Sequence, residues 1–264
     1  MENLEKTFKN IFNTISKFEL QKKEEENQFF DLENSLVNRE QRNTDFFLGY
    51  YSPYGVEYAF KKYGIFETLN NIGFNNLSLK IDYLDFSRNK LSLYFEKIDS
   101  EHLLTEIILK REYKDIDLFE FHKHYEFLFV EWLYSQNPKI SFSESKPKLP
   151  GQKYPGLHTG KIILELLIMT SKRLKLSGII NIPQYFHNAQ IYSKKFSIYD
   201  PFIEGKRKAI ERDLLSKYTL AKVSWSIEEN KVYENSKLFH WEPTLQIVPL
   251  RSSLYKYFDS DKYK

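Results

Sequence analysis

Apolar residues first recur at helical spacing. Leu4, Phe8, Ile11, Phe12, Ile15 and Phe18 fall on one stripe. A second stripe would use Phe29, Phe30, Leu32 and Leu36, and the intervening ELQKKEEENQ is too charged to bury, so it predicts a solvated helix face or a link. Residues 1–47 therefore read as a helical segment packed on a main body at 48–264. The rival reading is a partner-binding or dimerising arm, which keeps a homodimer open. Between 53 and 72 the pattern predicts two short helices, VEYAFKKYG and IFETLNNIG, with Gly64 and Gly73 as their stops.

The period then changes. LSLKIDYLDF and KLSLYFEKI alternate apolar and polar residues around the polar turn SRN, which predicts a β-hairpin over 77–97. LLTEIILKREY, 103–113, reads as a third strand, with a helix as the alternative for so short a run. HKHYEFLFVEWLYSQ, 122–136, predicts an amphipathic helix that Asn137-Pro138 ends. A loop rich in proline and glycine leads to a long helix at 158–176. There Ile162, Ile163, Leu166, Leu167 and Met169 make a broad apolar face, and Lys172, Arg173 and Lys175 suit the negative end of the helix dipole. Gly178 opens a strand at 179–182 and Pro183 stops it. Helices at 185–195 and 205–218 follow. AKVSWSIE and PTLQIVPL, separated by an irregular 229–242, complete the chain as two strand candidates. This order predicts an α/β or α+β fold: a mixed, twisted sheet flanked by helices, with an extra amino-terminal helical segment.

Composition removes several chemistries. The chain of 264 residues has no cysteine, so disulfides, thiolate metal sites and a cysteine nucleophile are excluded. The net charge of +3, from 39 basic and 36 acidic residues, argues against a dedicated nucleic-acid binder. KREYK and GKRK read as solvated faces. The 19 tyrosines and 22 phenylalanines supply bulky core residues, and tyrosines also line ligand pockets. No signal-peptide pattern and no apolar run of membrane-spanning length occur, which predicts a soluble, cytoplasmic protein without a membrane span. His122 and His124, two apart on a helix, would point in different directions. With no HxxxH or HExxH in the chain, no metal is expected. No GxSxG supports a serine nucleophile.

The candidate chemistry lies in GQKYPGLHTGK, where Gly151, Gly156 and Gly160 precede the long helix. Small residues permit close backbone approach, and helix-start amides can hold phosphate. The run is not a P-loop, because Ile162 stands where Ser or Thr would follow the GK pair, and no GxGxxG occurs. A plain Pro/Gly turn ahead of a core helix is the competing reading.

Over residues 149–199 the chain resembles the GCN5-related N-acetyltransferase superfamily. Members carry a Q/R-x-x-G-x-G/A turn at the start of a long helix, where the pyrophosphate of acetyl-coenzyme A is cradled. A strand follows, then a helix of the type N-x-x-A-x-x-x-Y-x-K-x-G-F. GQKYPGLHTG is similar to the first element. Gly156, His158 and Gly160 fill its small-residue track, with His158 at a glycine position, and Gln152 and Lys153 are rival matches for the leading Q/R. FHNAQIYSKKF is similar to the second, through Ala189, Tyr192, Lys194 and Phe196. The alanine-to-tyrosine spacing is one residue short, and Lys195 replaces the glycine. Helices at 122–136 and 205–218 would depart from the family layout.

The resemblance implies an N-acyltransferase using acetyl-coenzyme A or a longer acyl-coenzyme A. The implied donor site comprises Gln152, Lys153, Gly156, Leu157, His158, Thr159, Gly160 and Lys161, with a backbone donor for the thioester carbonyl from the strand around Ile180. Tyr192 is the implied acid toward the leaving thiolate, with Tyr185 as its first substitute. The acceptor would be a small-molecule or peptide amine, and the general base stays open among Glu, His and water. Two alternatives stand beside this reading: a non-catalytic protein that keeps the fold for ligand or protein binding, and an acyltransferase fed by acyl carrier protein.

Overall fold

The computed structural model describes residues 2–23, 46–119 and 122–264. The second apolar stripe, Phe29 to Leu36, and the carboxyl half of the charged link lie outside the described residues. The first stripe forms α1 (Glu2–Thr14) and α2 (Lys17–Gln21). Ser16 separates them with a capping box. Its hydroxyl accepts from the Glu19 amide, and the Glu19 carboxylate accepts from the Ser16 amide. The restart resets the helical phase, so Phe18 is 77% exposed and Leu20, at 1%, takes the buried place.

Ser52 and Pro53 open α3 (Pro53–Lys62), and Gly64, with φ +72°, supplies the left-handed corner before α4 (Ile65–Asn71). Four strands follow: β1 (Leu77–Tyr83), β2 (Asn89–Phe95), β3 (Leu103–Asp117) and β4 (His122–Ser135). The expected helix at 122–136 is thus a strand. Its centre is covered on both faces, with Phe127 and Leu128 fully buried, so it shows no clean alternation. Aromatic and β-branched residues from Tyr125 to Tyr134 favour the extended state.

The remainder comprises α5 (Gly160–Arg173), β5 (Gly178–Asn181), α6 (Phe186–Tyr192), β6 (Ser197–Ile198) and α7 (Pro201–Ile210) with a π-helical extension (Glu211–Leu215). After these come α8 (Leu220–Glu228), a short β7/β8 hairpin (Tyr233–Glu234 and Lys237–Leu238), β9 (Gln246–Pro249) and α9 (Ser252–Asp259). AKVSWSIE, expected as a strand, is α8. The Thr219 hydroxyl caps it by accepting from the Lys222 amide at 3.3 Å, and Val223 and Ile227 bury at i, i+4 spacing.

Seven strands form one mixed, twisted sheet in the order β1-β2-β3-β4-β5-β9-β6, flanked by helices. β4 and β5 are parallel, pairing Phe127 with Gly178 through Val130 with Asn181. β9 enters antiparallel between β5 and β6. No helix among the described residues is long and apolar enough to cross a membrane.

The chain divides into two compact units. The first comprises Met1–Arg111, Trp132–Ser135 and Leu157–Leu174. In it α5 lies over β2 and β3 beside α3 and α4, burying Phe60, Leu69, Leu93, Ile107, Ile163 and Leu167. Arg173, at the end of α5, donates to the carbonyls of Ile15 (3.1 Å) and Phe12 (2.6 Å). Its guanidinium stacks 4.3 Å from the Phe12 ring centre. The second unit comprises Glu112–Glu131, Gln136–Gly156 and Lys175–Lys264. It has one core around Phe127, Ile180, Ile247 and Leu254, and another around Phe186, Ile210, Val223 and Phe239. GKRK is only partly a solvated face. Arg207 is buried in a fork on Glu204 (2.7 and 3.1 Å) and also donates to Gln190 (2.7 Å) and Glu211 (2.9 Å).

Two glycines give opposite expectations. A Cβ on Gly55 would sit 2.0 Å from the Leu20 carbonyl oxygen, where α2 crosses α3, whereas a Cβ on Gly205, inside α7, meets nothing within 4 Å. Gly55→Ala should lower the free energy of urea unfolding by about 2 kcal/mol or more. Gly205→Ala should raise it by about 0.5–1 kcal/mol.

Candidate functional site

The glycine-rich loop is built in two parts, and its glycines serve different ends. Gly151 has φ +74°, and a Cβ there would lie 2.8 Å from the Tyr185 ring, so this glycine is required by the turn and its packing. Gln152 closes the same turn. Its amide donates to the Leu149 carbonyl at 3.2 Å, and its side-chain oxygen accepts from the Leu149 amide at 3.1 Å. Lys153 is exposed, with its ammonium 5.2 Å from the Tyr154 ring centre. Gly156 is half-buried with ordinary φ, and a Cβ added to it meets no atom within 4 Å.

The second part enters α5. Leu157 is buried and anchors the entry. His158, which stands where the resembled motif would have glycine, takes the glycine-like backbone, with φ +62° and its side chain exposed. A non-glycine residue in this region carries a cost of about 1 kcal/mol. Thr159 is the N-cap residue but does not cap. Its backbone is αR rather than extended, and its buried hydroxyl is hydrogen-bonded at 3.0 Å to the hydroxyl of Ser135, the last residue of β4. Thr105 of β3 donates weakly to the same Ser135 oxygen at 3.5 Å. Ile163 donates to the Thr159 carbonyl, and among the described residues no acceptor meets the amides of Gly160, Lys161 and Ile162. A fourteen-residue helix thus presents three orphan donors and the positive end of its dipole, with exposed Lys161 adding charge. Such an end suits an anion.

Ile180 is fully buried at the centre of the sheet, paired with Phe129 on one side and Ile247 on the other. Its side chain is core, and its backbone belongs to a doubly paired stretch. The parallel ladder stops at Val130 and Asn181, while β4 runs on to Ser135. Gly178 has to be small because a Cβ would lie 2.4 Å from the Val248 carbonyl oxygen.

Tyr192 closes α6, with its ring edge-on to Phe196 at 6.3 Å. Burial alone raises its pKa above the usual phenol value, and its hydroxyl has no hydrogen-bond partner among the described residues. It is therefore protonated at neutral pH. Tyr185 precedes α6 and stacks on His187, with ring centres 5.4 Å apart. Three polar atoms, on α6, β5 and β9, are buried without partners among the described residues: Nδ1 of His187, Oδ1 of Asn181 and Oε1 of Gln246. Asn181 and Gln246 are cross-strand partners and share a sheet face. Gln246 reaches α6 by donating to the Ala189 carbonyl at 3.3 Å. Reading the sequence element by element did not find this trio, because Asn181 and Gln246 come from strands far apart in the chain.

A further group follows from the reassignment of β4. As strand residues, His122 and His124 share a face instead of diverging. His122 pairs with Asp117 at 2.5 Å, which raises the imidazole pKa, and His124 pairs with Asp115 at 2.8 Å. Tyr113 stacks on His124 at 5.0 Å. Among the described residues no three such side chains converge as a metal-binding group. The i, i+2 spacing would have revealed this ladder had the segment been read as a strand.

Two measurements check this geometry. His158→Gly should keep urea stability within about 1 kcal/mol of the parent. His158→Val should lose about 1–2 kcal/mol, because a β-branched residue resists positive φ. Burial lowers the His187 pKa from 6.5 to about 4. In that window the unfolded chain binds the extra proton, so stability present above pH 6.5 is lost as the pH falls toward about 4. His187→Phe should flatten that part of the urea-midpoint profile, and an unchanged slope would refute the assignment.

No family model, curated protein sequence or solved structure matches this chain. What the residues build is a mixed sheet with a parallel β4/β5 crossover, flanked by helices. This architecture is consistent in general with the GCN5-related acetyltransferase fold and with the acyl-coenzyme-A enzymes built on it.

Proposed function

We propose that this protein is a coenzyme-A-dependent N-acyltransferase that moves an acyl group from an acyl-coenzyme A to an amine. The observation that carries the reading is the amino end of α5. Three amides without acceptors follow a left-handed residue, after a parallel β4/β5 pair has sent the chain into its crossover. These donors match the pyrophosphate of coenzyme A in charge and number. The space around Gly156 leaves room for close approach, and Lys161 or Lys153 adds positive charge.

Coenzyme A supplies a thioester, whose carbonyl carbon is open to attack by a neutral amine. The C–N bond forms as the C–S bond breaks, the nitrogen gives up a proton to a base among Glu, His and water, and the departing sulfur takes one. Tyr192 is assigned that proton because it is protonated at neutral pH and its hydroxyl is uncommitted. The thioester oxygen would be met by a backbone amide from the end of β5, where the ladder that engages Ile180 stops. The acceptor is a small-molecule or peptide amine. A carrier-protein thioester as donor, and a binding protein without catalysis, are the competing outcomes.

Because a side chain at 156 meets open space, Gly156→Val should fold normally. It should bind acetyl-coenzyme A at least roughly tenfold more weakly by calorimetry, about 1.4 kcal/mol. Tyr192→Phe should keep donor binding while turnover falls by about 10²–10⁴-fold. Transfer from acylated carrier protein alone would move the donor assignment to that thioester. Donor binding without transfer to any amine tried would favour the non-catalytic reading.

A further inference from the structure

The sheet has two outer strands, and they differ. β6 is two residues long, and the Tyr263 hydroxyl donates to its Ile198 carbonyl. β1 runs for seven residues, and among the described residues its only strand neighbour is β2. The Glu96 amide donates to the Asn76 carbonyl and the Leu84 amide to the Arg88 carbonyl, both in the register that pairs Leu77 with Phe95. Hydrogen-bonded pairs alternate along an antiparallel ladder, so the even-numbered residues of β1 engage β2. Leu77, Leu79 and Ile81 therefore point their N–H and C=O groups outward, and no described residue meets them.

The side chains of this edge are sorted by face. Leu79 and Ile81 lie opposite Leu93 and Leu91 and extend the covered apolar face, yet they stay only half-buried where it runs out. Lys80 and Asp82 stand on the other face, opposite Ser92 and Lys90, with the Lys80 ammonium 2.9 Å from the Asp82 carboxylate. Exposed apolar side chains bracket the strand. Ile72 (47%) and Ile98 (60%) lie at the end where it begins, and Leu84 (42%) and Phe86 (96%) at the end where it turns. A lone lysine would guard such an edge against pairing. A lysine and an aspartate two residues apart do the reverse, because a two-fold axis through the residue between them sets each against the other.

We propose that β1 pairs antiparallel with β1 of a second copy of this chain, about a two-fold axis at Ile81, and that the protein is a homodimer through this edge. In this register Ile81 meets its own copy and exchanges hydrogen bonds with it, and each Lys80 faces Asp82 of the second copy. The charged positions are the closer, non-hydrogen-bonded pairs, where cross-strand charges interact most directly. Neighbouring axes fail on charge. An axis at Lys80 opposes lysine to lysine, one at Asp82 opposes aspartate to aspartate, and one at Leu79 sets Lys80 against Ser78. The axis at Ile81 also carries Phe86 of each copy toward the end of the other where Ile72 and Ile98 are exposed.

Sedimentation equilibrium on the full chain should show a monomer–dimer equilibrium. Lys80→Asp and Asp82→Lys each place like charges opposite one another at both pairs, and each should weaken the dimer at least roughly tenfold. An equimolar mixture of the two variants should recover the parent's affinity as a heterodimer. Each variant has lost the Lys80–Asp82 bridge within its own chain, so recovery can come only from pairing between chains. Ile81→Pro supplies a second variant if Asp82→Lys does not fold beside Lys90. Proline is tolerated at an edge position whose N–H faces outward, so this chain should fold and be monomeric. A parent that stays monomeric up to about 100 µM would overturn the inference. So would a mixture that associates no more tightly than its components, or a dimer that Ile81→Pro leaves intact.

Discussion

The parallel pairing of β4 with β5 is the constraint on which the candidate site depends. Antiparallel neighbours can be joined by a tight turn, but a parallel neighbour requires the chain to leave the sheet and return in the same direction. Here the excursion contains both the Gly/Pro loop and α5. The pairing is held by burial, because Phe127, Leu128, Ile179 and Ile180 are all inaccessible to solvent. It also depends on Gly178, whose missing side chain admits the Val248 carbonyl of β9. A larger residue there would disturb both ladders of β5.

The amino end of α5 is unsatisfied for a traceable reason. The residue that would ordinarily cap it, Thr159, directs its hydroxyl to Ser135 at the end of β4 instead. His158 adds backbone strain. Both features oppose stability, and they are offset by the apolar face that α5 buries through Ile163, Leu167 and Met169 and by the grip of Arg173 on α1. Strain and orphan donors at one helix end are affordable only where the rest of the helix is over-determined by packing.

The second unit shows the contrast between satisfied and unsatisfied burial. Arg207 uses its donors on Glu204, Gln190 and Glu211, so its charge is fully engaged despite burial. His187, Asn181 and Gln246 instead each leave a buried acceptor or ring nitrogen without a partner among the described residues. Unengaged buried groups of this kind are costly unless something fills them. Desolvation keeps His187 neutral, which limits that cost at neutral pH and exposes it in acid.

By itself the sequence determined the elements whose periodicity survives in one dimension. The 77–97 hairpin was legible because its strands still alternate strongly enough between apolar and polar residues. α5 was legible because one broad apolar face repeats over several turns. The glycines at 64 and 73 and the proline at 183 marked boundaries through backbone restrictions that act locally. β4 was not legible, because burial on both faces erases alternation and leaves an apolar run that fits either period. α8 was misread because Val223, Trp225 and Ile227 also alternate as a strand would, and the Thr219 cap decides between the two. β6, only two residues long, exists only as pairing with β9, and no local pattern announces it. At the candidate site, the sequence identified the glycine track and the helix that follows it. Tertiary structure decided which glycines are structural and where the Thr159 hydroxyl points. Those outcomes depend on which distant side chains arrive at the same place, and spacing along the chain does not encode that.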